Sequence, residues 1–398
     1  MTSMLKQLIK KHCPQGVEYV ALGEIAVRTK GTPITATQMK VLNKPNGSVK
    51  IFAGGKTVAY FDYDDLPEKD INTFASVIVK SRGVIEFEYY DKPFSHKNEM
   101  WAYHSEREDV DIKFLYYFLK TKEDILRNKA TSMGAFPQIA IPDTEKLKIP
   151  LPPITVQREI VRILDSFTAL TAALTTEHSA RKKQYEYYRD ALLTFEDEKK
   201  IGAKSDKGVK WVTLGEIALY SNTRVAASEV DSDTYIAVDN LLADKQGRTL
   251  SNYVPTTGNL TEYQVDDILI GNIRPYLKKI WIADNVGGAS GDVLVVRLKV
   301  TDIKPKYLFH VLASDQFFAY DMQYAKGAKM PRGNKDAVMK YKIPLPSLEE
   351  QARIVSILDR FEALTTDLCA GLPAEIAARQ KQYEYYRDQL LAFEEKKT

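Results

Sequence analysis

The chain is poor in the residues that usually announce chemistry. Its 398 residues include two cysteines, Cys13 and Cys369, and five histidines. Neither type is spaced as a zinc site requires. Two distant cysteines make no disulfide framework, which favours a reducing compartment. No apolar run approaches the ~18 residues of a membrane span, and Met1–Lys11 lacks the apolar core of a signal peptide. A cytoplasmic protein is expected. An excess of one charge is missing too. The net charge of +3 specifies no partner, although it permits nucleic-acid binding if basic residues cluster. A 44% hydrophobic and 27% charged composition is that of a folded chain, with length for two or three domains.

Catalytic motifs are incomplete. Gly54-Gly55-Lys56-Thr57 ends like a P-loop, but Lys50 stands where its first glycine should be. Asn272-Ile273-Arg274-Pro275-Tyr276 only distantly matches the Asn-Pro-Pro-Tyr loop of amino-methyltransferases, and no glycine-rich cofactor loop precedes it. Pro142-Asp143-Thr144-Glu145 hints at a nuclease, but Glu145-Lys146-Leu147 lacks a lysine two places after the acid. These gaps predict a chain with no catalytic site and no metal site of its own.

What is present is a duplication. Ile149-Pro150-Leu151-Pro152, followed by Gln157, Ile160-Val161, Ile163-Leu164-Asp165 and Phe167, returns as Ile343-Pro344-Leu345-Pro346, Gln351, Ile354-Val355, Ile357-Leu358-Asp359 and Phe361. Gln-Tyr-Glu-Tyr-Tyr-Arg-Asp occurs at Gln184–Asp190 and again at Gln382–Asp388, and Leu22-Gly23-Glu24-Ile25-Ala26 is echoed by Leu214-Gly215-Glu216-Ile217-Ala218. A period of about 195 residues is too long for a solenoid and suits duplicated domains.

The order is domain, helix, domain, helix. Ile160, Leu164, Phe167, Thr171, Leu174, His178, Arg181, Tyr185, Tyr188, Leu192 and Phe195 alternate at four and three. That spacing predicts a coiled-coil seam on a helix over residues 154–196. The second helix repeats the pattern with four extra residues near Gly371-Leu372-Pro373, a stutter that predicts a kink or short break. The expected fold class is α+β: two mixed, strand-rich domains joined by two long antiparallel helices, with an internal pseudo-twofold repeat. The expected boundaries are a first domain at 1–148, a spacer helix and linker at 149–200, a second domain at 201–342 and a second spacer helix at 343–398. Lys113–Leu119 and Lys306–Leu312 read as matching short helices, and Phe74–Val79 and Ile268–Ile270 as strands.

Loops at corresponding places carry basic and polar groups. After one strand in each half come Lys80, Ser81 and Arg82, and Asn272, Arg274, Tyr276, Lys278 and Lys279. Near each domain's end come Thr131, Ser132 and Gln138, and Lys329 and Arg332. Arg and Gln suit base edges, while Lys and Thr suit phosphates. Singly, each is an ordinary solvated loop. Their recurrence in two repeats makes them the expected DNA-binding residues. In the repeated heptapeptide, Tyr185 and Tyr188 fall on the seam and are explained by packing. Tyr187, Arg189, Tyr385 and Arg387 fall off it, and residues of these types dominate interface hot spots. An exposed partner-binding face is expected there.

With these strings in hand, the chain resembles the specificity subunit of type I restriction–modification enzymes. The match is strongest over Lys148–Asp165 with Lys342–Asp359, and Gln184–Phe195 with Gln382–Phe393. The resemblance implies that each half supplies one target-recognition domain for half of a bipartite DNA sequence. It implies that the two helices form an antiparallel spacer. Two methyltransferase (modification) subunits would dock on the repeats, and translocase–endonuclease (restriction) subunits would join them. It places S-adenosylmethionine, ATP and magnesium in those partners, with no cofactor in this chain. The alternative from the residues alone is a scaffold whose domains bind proteins, and salt-dependent, sequence-selective DNA binding discriminates the two.

Overall fold

A computed structural model describes residues 3–132, 136–195, 209–366 and 371–396. Contacts divide the chain into two compact units, Met1–Ala173 with Ala377–Thr398, and Leu174–Ile376. Both divisions fall inside the helical spacer segments, so each unit holds a strand-rich domain and parts of both.

In the first unit a four-stranded sheet runs in the order Val27–Arg28, Trp101–His104, Ser76–Lys80, Glu86–Tyr90. In the second, the order Ala218–Tyr220, Val293–Leu298, Ile268–Gly271, Ile280–Ile282 repeats that topology. All neighbours are antiparallel. The central strands, Ser-Val-Ile-Val-Lys and Ile-Leu-Ile-Gly, are buried at every position. A near-continuous β-branched or aliphatic run is what a strand covered on both faces requires. A second sheet packs beside each. It has three strands in the first unit (Val58–Phe61, Val49–Phe52, Phe94–His96) and four in the second. Gly54 and Gly55 lie in the turn joining Val49–Phe52 to Val58–Phe61. That is a hairpin and not the strand-to-helix setting of a phosphate loop.

The expected short helices form as Ile112–Lys120 and Pro305–Leu312. Asp111 caps the first by accepting from the amides of Lys113 and Phe114. The second begins with proline, whose missing N–H costs nothing at a helix start.

The first long helix spans Ile154–Leu193, three residues short of the expected end. At 1.5 Å per residue it is about 60 Å long. In the second spacer the described residues form the helical segments Leu348–Thr366 and Leu372–Leu391. The break expected near Gly371-Leu372-Pro373 adjoins residues 367–370, which lie outside the described residues, as do residues 196–208. In the first unit Phe167 stacks on Tyr386 at 5.4 Å. In the second, Phe361 stacks on Tyr188 at 5.3 Å, with the same 22° between rings. The start of each spacer thus meets the end of the other, the pairing of two antiparallel helices. Val156, Ile160, Leu164, Leu390 and Leu391 are buried in the first unit's core, and Ile354 and Leu358 in the second's.

The repeated Pro-Leu-Pro…Gln string has a structural cause. Gln157 is fully buried. Its amide nitrogen donates to the carbonyls of Asp109 and Pro152, and its oxygen accepts from the Asp111 amide at 2.8 Å. Gln351 repeats the clamp with the carbonyls of Asp302 and Pro346 and the amide of Lys304. Each glutamine ties the start of a spacer helix to the loop before a domain helix. Gln157→Leu keeps the volume but strands three backbone groups. It is expected to cost about 2–4 kcal/mol by denaturant unfolding, since a buried unpaired group costs ~1–3 kcal/mol. A loss within the ~0.5 kcal/mol of an ordinary surface change would contradict the clamp.

Candidate DNA-recognition surface

The two loops singled out in each half come together, and they do so in one register. In the first domain Arg82 pairs with Gln138 in an antiparallel bridge. The Gly83 amide donates to the Pro137 carbonyl at 2.9 Å, and the Ile139 amide to the Ser81 carbonyl at 3.0 Å. In the second domain Ile273 pairs with Arg332. The Arg274 amide donates to the Pro331 carbonyl at 2.7 Å, and the Gly333 amide to the Asn272 carbonyl at 3.0 Å. The correspondence runs residue by residue: Ser81 with Asn272, Arg82 with Ile273, Gly83 with Arg274, and Pro137, Gln138 and Ile139 with Pro331, Arg332 and Gly333. Two stretches more than 50 residues apart thus build one edge in each domain.

Backbone conformation repeats as well. Gly83 has φ +81° and Arg274 has φ +53°. Glycine takes this left-handed region freely, whereas an arginine there carries roughly 1–2 kcal/mol of strain. Strain of that kind concentrates at functional sites.

Side chains divide into two groups. Arg82, Arg274, Tyr276, Lys329 and Arg332 are exposed. Arg332 reaches Asp292, just before strand Val293–Leu298, at 3.2 Å, and Gln138 is half-buried. Beside them a cleft of about 430 Å³ is lined by Ile273, Arg274, Leu277, Asp292 and Met330, among others. The other residues face inward. Lys80 is 8% exposed and bridges Glu86 and Glu88. Burial pushes its ammonium pKa down, but the two carboxylates outweigh that and hold it above the usual lysine range. Ser81 is fully buried, its hydroxyl donating to the Glu99 carbonyl. Lys278 pairs with Asp315, and Lys279 donates to the Val238 carbonyl. The charge of Lys80, the last residue of its strand, is therefore spent inside the fold, and that of Lys278, after the turn Pro275–Leu277, on Asp315. Thr131–Ser132 pairs with Pro137–Gln138 as a two-stranded ribbon, and Met133–Ala135 lies outside the described residues.

Sequence reasoning missed the apolar members of the edge. Phe136 and Met330 are 56% and 52% exposed, and each precedes a proline that the opposite loop grips. It also missed Asp321 and Gly333. Asn272 Oδ1 and Asp321 Oδ1 are buried without a hydrogen-bond partner. A Cβ at Gly333 would stand 2.7 Å from Asp321 Oδ1 and 2.8 Å from Asn272 Oδ1, so a side chain there would have to push the pair aside. Burial pushes the Asp321 carboxyl up to about 6. Its folded state keeps a proton that the unfolded chain releases near pH 4, so stability falls as pH rises from about 4 to 6. Asp321→Asn is expected to stabilise the chain at pH 7 by roughly 1–3 kcal/mol and to change little at pH 3.5. Unfolding midpoints at the two pH values check it, and a loss of stability at pH 7 would contradict it.

On the spacer helices, Tyr187 is 69% and Tyr385 62% exposed. Each packs edge-on against the next tyrosine, which stacks across the helix pair. Arg189 corrects the expected exposed face. It is fully buried, bonded to Asp190 and to the Ala313 carbonyl, and set over the Tyr185 ring. Arg387 is 18% exposed and pairs with Asp388. Heptad position misses Arg189 because the domain packs over that flank of the helix, where the Ala313 carbonyl accepts from it.

Known proteins place this architecture. The model of the type I restriction modification DNA specificity domain matches residues 14–181 and 207–378, one copy per repeat. A type I restriction enzyme specificity subunit of Escherichia coli is 33% identical over 313 residues, 72% of each chain. A putative specificity subunit of Haemophilus influenzae is 31% identical over 316 residues, 72% of this chain and 74% of that one. The crystal structure of a type I S subunit from M. genitalium shares the fold with a TM-score of 0.58 at 16% identity, over 94% of this chain and 96% of that one. A chain from a study of complex assembly in the type I R-M system superposes with a TM-score of 0.53 at 18% identity, covering 95% and 98%. The fold is that of a duplicated DNA-specificity protein. The chain belongs to the type I restriction–modification specificity family, whose members are the non-catalytic, DNA-recognising subunits of their enzymes. Among the described residues, no helix is long and apolar enough to cross a membrane.

Proposed function

We propose that this chain reads a bipartite DNA target, with one half-site met by each strand-rich domain (residues 1–148 and 201–342) and the gap set by the spacer helices. The observation that carries the reading is the register shared by the two loop pairs. A duplicated edge bearing Arg82 and Gln138 in one copy, and Arg274 and Arg332 in the other, offers the same backbone platform with different side chains. Arginine and glutamine make bidentate contacts with base edges, so the half-sites should differ. Exposed Lys329 suits a phosphate. Affinity of the assembled complex for target DNA should fall linearly on a log–log plot against salt and should exceed that for unrelated duplex. Equal binding to both duplexes would favour a protein-binding scaffold.

Tyr187 and Tyr385 are the proposed anchors for two methyltransferase subunits, one per repeat, with the translocase–endonuclease subunits joining them. S-adenosylmethionine, ATP and magnesium would belong to those partners. Alanine at both tyrosines is expected to weaken assembly by about 2 kcal/mol or more per hot spot while leaving helicity unchanged. Sedimentation at low concentration checks it, and an unchanged two-to-one complex would contradict the assignment.

A further inference from the structure

Folding gathers three metal-ligand side chains that sequence spacing hides. His310 sits on helix Pro305–Leu312, and Asp359 and Glu362 sit one turn apart on helix Leu348–Thr366. One ligand atom from each lies within 4.8 Å of the other two. His310 is fully buried, with Nε2 3.3 Å from Asp359 Oδ1. Its other nitrogen, Nδ1, lies 3.5 Å from the Tyr185 hydroxyl. Asp359 Oδ2 accepts from Lys306 at 2.8 Å, which leaves Oδ1 facing the histidine.

The first repeat is an internal control. Its equivalent residues are Lys113, Tyr117, Asp165 and Thr168. There Lys113 donates to Asp165 Oδ2, and the Tyr117 hydroxyl donates to Asp165 Oδ1 at 2.6 Å and lies 3.4 Å from Thr168 Oγ1. That network already joins the domain helix to the spacer helix. The second repeat keeps the lysine and the aspartate but changes the other two together. An imidazole stands in place of a phenol, and a carboxylate in place of a hydroxyl. Both changes substitute a strong metal ligand for a weak one, at the two positions that converge on Asp359. A cavity of about 300 Å³ lined by Glu362, Tyr185 and His178, among others, opens beside the cluster. Glu362 is the member of the cluster that lines it, so water ligands would come from that side.

We propose that His310 Nε2, Asp359 Oδ1 and a Glu362 carboxylate oxygen form a divalent transition-metal site in the second repeat, completed by water. One imidazole with two carboxylates suits Zn²⁺ or Mn²⁺. A zinc ion holds its ligands at about 2.0–2.2 Å, so the cluster, now within 4.8 Å, would have to draw closer around it. Tyr185 at Nδ1 and Lys306 at Oδ2 are the outer partners that orient the ligands. The ion would pin the second recognition domain to its spacer helix, where the first domain uses a hydrogen bond. The cluster shares no residue with the loop edge and does not depend on the reading of that edge.

The test uses the full chain after chelator treatment, titrated calorimetrically with Zn²⁺ and, separately, Mn²⁺. Binding of one equivalent with a rise in melting temperature is expected. Combining His310→Tyr with Glu362→Thr installs the residues of the first repeat, so the variant should keep its helicity while affinity falls about tenfold or more. Glu362→Gln, which keeps the shape of the side chain, should show the same loss if the double variant folds poorly. No binding by the unaltered chain, or equal affinity in these variants, overturns the proposal.

Discussion

Alanine at Arg82, Arg274, Lys329 and Arg332 together is expected to reduce target affinity roughly a hundredfold or more, because each base-reading arginine contributes about 1–3 kcal/mol. All four are exposed cations on loops that meet in both domains. Single changes should separate their roles. Arg274→Ala should relax one position in one half-site and leave the other half-site intact. Lys329→Ala should weaken all sequences alike and reduce the salt slope by about one. Arg274→Gly is more telling. The equivalent Gly83 adopts the same left-handed conformation at no cost, so Arg274→Gly should hold or raise thermal stability while DNA discrimination falls. Unchanged affinity and salt dependence in the quadruple variant would remove these loops from the DNA. A drop in stability with Arg274→Gly would mean that the arginine is kept for packing.

The second large effect concerns spacing. Leu170 and Leu174 end two adjoining tetrapeptides, Phe167-Thr168-Ala169-Leu170 and Thr171-Ala172-Ala173-Leu174, within one uninterrupted helix. One further Thr-Ala-Ala-Leu there would add about one turn, near 6 Å. At ~3.4 Å per base pair, the gap between half-sites should change by one or two base pairs. The half-site sequences should stay the same, since no recognition residue is touched. An active insertion variant that kept its original gap would show that these helices are not the ruler.

Much of the fold could be read before the structure because the repeat marks it. Repeated Pro-Leu-Pro…Gln and Gln-Tyr-Glu-Tyr-Tyr-Arg-Asp located both spacers, and heptad spacing fixed their seam, as the Phe167–Tyr386 and Phe361–Tyr188 stacks bear out. The same method could not see why Gln157 and Gln351 recur. Their role is to satisfy carbonyls and an amide of a loop more than forty residues away. The loops were legible by position and less so by residue. Arg82, Arg274 and Arg332 emerge on the surface, whereas Lys80 and Lys278 are turned inward to Glu86, Glu88 and Asp315. For Lys80, at a strand end, one residue's shift in direction decides that; Lys278 follows a short helical turn instead, and composition records neither. Arg189 failed for a related reason. A helix that is covered by a domain on its flank buries positions that a two-stranded seam would leave in water. His310, Asp359 and Glu362 were invisible to any spacing rule, because two helices far apart in sequence supply them.

Methylome sequencing of cells carrying this chain with its methyltransferase subunit tests the central claim most directly. The account predicts a single motif of two different half-sites separated by a fixed number of unspecified bases, with Arg82→Ala relaxing one half and Arg274→Ala the other. A continuous motif, or both halves altered by one substitution, would contradict it.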